Sequence, residues 1–302
     1  MIELRRLDHV ALRVDDIAEA TERWALQFGL TERGHDSERA TLSCDDEPLA
    51  LELLAGDPPG FDHIAWELTR GCSLDDALAH LDGHGVDAQR VDDHVELRDL
   101  DSNTLHLLPY REPLSPFVAH VRPASGMRPG RPRKLGHVNF LTARVHEQAR
   151  FYQDALGMRL TDWLGDDGCW LHIGPEHHVM ALVNKGYVHL HHIAFDVVDI
   201  GQMRDLLDHL ARHGRWLGWG PTRHGVGGNV AAYVRIVEEE CFVELYCDME
   251  QLQPDHVPRR YADDRFSSNT WGPLPPRSYF RFDEQAIASE RDSLEMLGVP
   301  LR

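Results

Sequence analysis

The sequence predicts an α+β fold of four βαβββ units arranged as two tandem copies. An internal repeat carries most of this. LDHVALRV, beginning at Leu7, returns as LGHVNFLT from Leu135, and FDHIAWEL from Phe61 returns as LHHIAFDV from Leu190. The offsets are nearly constant: 128 residues from His9 to His137, 129 from His63 to His192, and 138 from Leu105 to Val243. The larger last offset places a longer segment before the final strand of the second copy. A second observation is that each copy switches twice from period-2 alternation to helical spacing. A third is the stretch between the copies, HVRPASGMRPGRPRK, which is a linker by composition.

In order, LDHVALRV reads as a strand. The next segment spaces Ile17, Ala20, Trp24 and Phe28 on one helical face and ends at Gly29. TLSC and ALELL are short strands. DHIAWEL restarts the pattern, and Ser73 caps the helix that follows. The second copy repeats this with GHVNFL, a helix, short strands, HHIAFDV and the helix GQMRDLLDHLARHG. These readings set the expected domains: 1–111, 112–133 as linker, 134–250, and a Pro- and aromatic-rich tail over 251–302.

The chain carries 31 Lys and Arg against 50 Asp and Glu, a formal charge of −19. That charge repels nucleic acid and anionic membranes, so neither is an expected partner. No apolar run is long enough to span a bilayer, and the first ten residues are no signal peptide. Five cysteines without ligand spacing read as buried thiols in a reducing compartment. The expected location is cytoplasmic.

The chemistry concentrates in the second copy. Alternate residues of a strand share a face. In GHVNFL, His137 and Asn139 point one way. In HHIAF, Ile193 and Phe195 go to the core, so His192 faces the other side. In CFVELYC, Val243 and Leu245 go to the core, so Glu244 joins the histidines. Burying a lone carboxylate is costly, and a divalent ion shared with two neutral imidazoles compensates it. Two His and one carboxylate with open positions are the ligand set of a mononuclear non-haem Fe(II) site, which Mn(II) also fits. The expected metal ligands are therefore His137, His192 and Glu244.

These segments resemble the vicinal oxygen chelate superfamily, and within it the two-domain extradiol (meta-cleaving) catechol dioxygenases. The resemblance runs from Leu4 to Tyr246 and is most specific in the second copy. It implies two tandem vicinal-oxygen-chelate/glyoxalase-like domains, the first non-catalytic and the second holding the metal. It implies a catecholic substrate, O2 as co-substrate, a role in aromatic catabolism and a homo-oligomer. His178, fourteen residues before His192, falls at the position of a histidine that hydrogen-bonds bound oxygen and delivers a proton. A histidine suits this because its pKa lies near neutrality. His224 and Tyr233 fall where residues hold the catechol oxygens, and Asn139 and Trp170 at pocket positions. Tyr233 precedes Glu244 by eleven residues, one more than the family spacing, so a residue is inserted in the hairpin at Glu238–Glu240. WGPLPP, from Trp271, matches a C-terminal segment that would cover the pocket. His172, His177, His189 and His191 read as structural or surface residues.

In the first copy the equivalents of the three ligands are His9, His63 and His106, and Leu49 stands where His178 does. The resemblance implies no metal there, and a relic of duplication is the simplest reading. An ion held there would be structural zinc or iron. Two other functions remain open: a metal-dependent glyoxalase-like isomerase or lyase, and a non-catalytic small-molecule-binding module. His178, His224 and Tyr233 disfavour the first, and an intact ligand triad disfavours the second. The residues before Trp271 are SSNT, without the paired arginines that carboxylated catechols call for. Arg223 and Arg265 are the nearby cations, and a neutral or bulky aromatic catechol is expected.

Overall fold

In the computed structural model, residues 2–44, 48–112 and 131–283 are described, with a few isolated positions beyond. The expected linker lies mostly outside the described residues. The first unit comprises β1 (Leu4–Val14), α1 (Ile17–Phe28), β2 (Thr31–His35), β3 (Arg39–Ser43) and β4 (Leu51–Ala55). The second comprises β5 (Gly60–Leu68), α2 (Leu74–Gly83), β6 (Ala88–Val91), β7 (His94–Arg98) and β8 (Thr104–Leu108). The third runs through β9 (Lys134–Thr142), α3 (Val145–Asp154), β10 (Arg159–Leu164), β11 (Gly168–His172) and β12 (Met180–Asn184). The fourth runs through β13 (His189–Asp196), α4 (Ile200–Arg212), β14 (Leu217–Arg223), β15 (Val230–Ile236) and β16 (Cys241–Cys247).

Helices α1, α2 and α4 begin at capping side chains. Asp16 accepts from the Glu19 amide, Asp199 from that of Gln202, and Ser73 and Asp76 form a reciprocal capping box. Gly29 ends α1 at φ 69°, a left-handed conformation glycine adopts without a Cβ penalty.

Each pair of units forms one sheet. The strand orders are β2-β3-β4-β1-β5-β8-β7-β6 and β14-β15-β16-β13-β9-β12-β11-β10, the same arrangement read in opposite directions. In every unit the first strand pairs in parallel with the last, and two units join through their first strands, antiparallel. Registers agree between copies: His9 faces Ala65 as His137 faces Ala194, and Ala65 faces His106 as Ala194 faces Glu244. One face of each sheet packs against helices. There Trp24, Phe28, Val138, Ile193, Phe195, Val243 and Leu245 join one core, and Phe61 meets Phe140 edge to face at 5.1 Å. The other face of the second sheet carries a separate cluster with Leu141, Ala194, Trp219, Tyr233, Phe242 and Tyr246. All five cysteines are buried.

The tail departs from its aperiodic reading. A three-residue strand, β17 (Arg259–Tyr261), extends the second sheet beside β10, with Arg259 opposite Asp162. A strand so short leaves no period, and its register is set by Arg259 bonding Asp162 through backbone and side chain. No helix among the described residues is long and apolar enough to cross a membrane.

The copies are tied by buried polar contacts. Arg23 of α1 forks onto Glu239 in the β15–β16 turn, one contact being 3.1 Å, and both side chains are buried. Arg215 bonds Gln27 at 2.7 Å and Glu238 at 2.8 Å, and the Tyr152 hydroxyl donates to Asp99 at 2.9 Å. Removing one partner of such a pair strands the other charge. Arg23→Ala is expected to destabilise the protein by about 3–5 kcal/mol in denaturant titration. Replacing both members with Met and Leu should restore most of that loss.

Candidate active site

The second sheet curls around a cavity of about 180 Å³. His137, on β9, follows Gly136 for a steric reason: a Cβ there would lie 1.8 Å from the Tyr246 hydroxyl oxygen. The His137 ring instead packs against Tyr246 at 4.9 Å between centroids. His192, on β13, and Glu244, on β16, complete the group. His137 Nε2 and His192 Nε2 each lie 3.0 Å from the same oxygen, Glu244 Oε2. All three residues are buried and their ligating atoms converge. A six-coordinate ion with bonds of about 2.1 Å has neighbouring ligands about 3.0 Å apart, so the spacing fits a divalent ion. His192 Nε2 has no hydrogen bond of acceptable geometry despite that short contact, as expected of a lone pair reserved for a metal.

Electrostatics agree. Burial would raise the Glu244 carboxyl, but His137 and His192 outweigh it and hold it well below the usual carboxylate range. Burial lowers His192, against the pull of Glu244, so its imidazole is neutral, the form that ligates.

Both histidine pairs work alike. His191 Nε2 lies 2.9 Å from the Tyr279 carbonyl and donates to it. Its Nδ1 therefore accepts from His192 Nδ1, at 2.8 Å, which frees His192 Nε2. Likewise His177 Nε2 donates to Asp162 at 2.9 Å, and His177 Nδ1 lies 3.0 Å from His178 Nδ1. That leaves His178 Nε2 as the acceptor. Burial, with His137 next, pushes His178 well below its ordinary value, so it rests neutral. Of the two readings given to His177 and His191, structural or surface, the first holds: both are fully buried, and His191 lines the cavity. The available signal was the doubled HH at 177–178 and 191–192. His172 is also buried, bonded to Thr161, while His189 is part-exposed and bonds the Glu240 carbonyl.

The remaining expected residues gather in the same cavity. His224 follows β14, and its Nε2 lies 2.8 Å from the Tyr233 hydroxyl. Tyr233 sits directly across from Glu244, so the longer hairpin keeps its register. Burial, then Glu244, raises the Tyr233 phenol well above its ordinary value and keeps it protonated. The side-chain oxygen of Asn139 is buried without a partner, and Trp170 lies 6.5 Å from His178 between ring centroids. The sequence reading did not include Asn229, whose amide donates to Glu244 Oε1 at 2.9 Å and fixes the carboxylate plane. It also lacked Trp219, stacked on Tyr233 at 5.1 Å. From the tail, Ser267, Pro275, Tyr279 and Phe280 line the cavity. Arg223 does not line it; its guanidinium faces Asp248 at 3.4 Å. The Arg265 side chain lies outside what is described.

Residues 134–241 match the Glyoxalase/Bleomycin resistance protein/Dioxygenase superfamily. Metapyrocatechase 2 of Cupriavidus necator is 29% identical over 297 residues, covering 92% of each chain. An iron-dependent extradiol dioxygenase of Rhodococcus jostii is 26% identical, over 63% of this chain and 72% of its own. Among solved structures, homoprotocatechuate 2,3-dioxygenase of Brevibacterium fuscum, in complex with 3,4-dihydroxyphenylacetate, superposes with a TM-score of 0.79 at 20% identity, covering 92% of each chain. A Mn(II)-bound glyoxalase of Novosphingobium aromaticivorans gives 0.78 at 22%, over 92% of this chain and 94% of its own. Residues 134–241 carry the match to this superfamily, and the chain is a metal-dependent extradiol ring-cleavage dioxygenase.

Proposed function

We propose that His137, His192 and Glu244 hold Fe(II), and that the enzyme opens an uncharged, bulky aromatic catechol beside its hydroxyls. The observation that carries this is the convergence of two buried imidazole nitrogens on one oxygen of a buried carboxylate. When bound, the ion supplies an electronic link between ring and O2; the same ligands accept Mn(II).

The chain's own residues do the rest. His178, neutral and with Nε2 free of its neighbour, takes a catechol hydroxyl proton and returns it as the O–O bond breaks. The Tyr233 and His224 pair holds the catechol oxygens, with Tyr233 keeping its proton as a donor. Asn139 offers its unpaired oxygen, and Trp170 walls the ring. Tyr279 and Phe280 close the cavity and exclude water. Lys185 stands at the cavity against two carboxylates, Asp167 and Asp263, so the lining offers no net positive charge to a substrate carboxylate. This favours an uncharged catechol over a carboxylated one. On this reading 134–250 is the catalytic domain, 1–111 is non-catalytic, and 251–302 covers the site. The five buried thiols suit a cytoplasmic enzyme. The exposed Trp216 and Leu217 at the start of β14 suit a homo-oligomer, which sedimentation reads directly.

Iron-loaded protein given air and alkyl- or aryl-substituted catechols should form a yellow ring-opened product. Failure with every aromatic diol at full iron loading would overturn the proposal. His178→Gln should keep its iron while kcat falls about 10²–10⁴-fold. Asn229→Ala should weaken metal retention about 10–100-fold by chelator competition, because Glu244 loses its orienting donor.

A further inference from the structure

We propose that the N-terminal sheet holds a second, structural divalent ion of the zinc class, bound by His9, His63 and Glu52. His9 and His63 occupy the positions of His137 and His192. The third position differs from the sequence expectation. His106 does share the register of Glu244, but its ring stacks on His63 at 3.9 Å, and Glu52 of β4 supplies the third ligand atom. Glu52 stands opposite Ala11 as Ala181 stands opposite Asn139, so a carboxylate enters where the second copy has only a methyl.

The three atoms form a closed triangle. His9 Nε2 lies 3.3 Å from His63 Nε2, and Glu52 Oε2 lies 3.5 Å from the first and 3.4 Å from the second. A tetrahedral ion with bonds of about 2.0–2.1 Å sets its ligands about 3.3–3.4 Å apart. These edges are longer than the 3.0 Å edges of the catalytic group and match that geometry.

A second observation fixes the ring nitrogens. His9 Nδ1 lies 2.8 Å from Asp8 and His63 Nδ1 2.8 Å from Asp62, so each donates outward to a carboxylate. Carboxylate-backed imidazoles are the common support of zinc ligands. Asp8 is held by Arg6 and Arg111, Asp62 by Arg13, and the other Glu52 oxygen by Arg39. Two Nε2 lone pairs and one carboxylate oxygen therefore face one another in a buried space. A single proton satisfies one edge of that triangle, whereas a cation satisfies all three atoms. With Leu49 in place of His178, the site has no proton-transfer partner, and its effect is to clamp β1, β4 and β5 together.

The test equilibrates the iron-loaded enzyme with a slight excess of zinc, removes free metal, and collects diffraction data at the zinc edge. An anomalous peak is expected between His9 Nε2 and His63 Nε2, in wild-type and in Glu244→Gln protein. Glu52→Gln should lose that peak, bind zinc at least tenfold more weakly there, lose the zinc-dependent rise in Tm, and keep its ring-cleavage rate. No peak at the triad in wild-type protein overturns the proposal whether or not any variant folds. So does a peak that survives Glu52→Gln.

Discussion

Glu244 is a carboxylate buried almost completely, and the second domain is organised to make that tolerable. Strand alternation sends Val243 and Leu245 to the core and leaves Glu244 on the cavity face. The parallel pairing of β13 with β16 and the antiparallel pairing of β13 with β9 then set two imidazoles beside it. Those imidazoles hold its pKa down but leave part of its desolvation uncompensated. A divalent ion completes the compensation. The remaining polar groups follow outward in order: Asn229 holds the second carboxylate oxygen, His191 fixes His192, and Tyr279 fixes His191.

That outward chain explains why the tail belongs to the site. Tyr279 reaches His192 through its backbone carbonyl and His191, while its ring packs on Trp219 and Tyr233. Trp219 in turn donates to the Pro273 carbonyl. On the opposite side Arg259 of β17 braces Asp162, which orients His177 and through it His178. Tail residues thus support both His192 and His178, the ligand and the proton carrier of the proposed mechanism, from two directions.

Much of this was legible in the sequence because it is local and periodic. The repeat gave the four units, alternation chose the faces, and His137, His192 and Glu244 fell together by counting along strands. The parts that stayed hidden are not periodic. His177 and His191 looked like crowding, because a sequence does not show that two adjacent histidines can meet through their Nδ1 atoms. Asn229 lies in a glycine-rich loop whose path depends on β15 pairing. Glu52 was masked by correct reasoning: His106 does occupy the counterpart of Glu244, but ring stacking turns it aside and a residue from another strand fills the space.

The divergence of the two copies then has a simple physical account. Both keep a pair of histidines at the strand junction, since both inherit the same register. The counterparts of Ala181, Trp170, Tyr233 and Trp219 in the first copy are Glu52, Thr41, Glu96 and Gln89. Exchanging a methyl and three aromatic rings for two carboxylates, a hydroxyl and an amide removes the apolar walls a catechol needs. It also inserts charge where substrate would sit. The second copy did the reverse, so small and aromatic side chains leave room beside the metal position. One sheet topology therefore supports a closed, polar knot in one half and an open, apolar-walled cavity in the other. The choice between them rests on whether β4 or β12 presents a carboxylate or a methyl to the histidines.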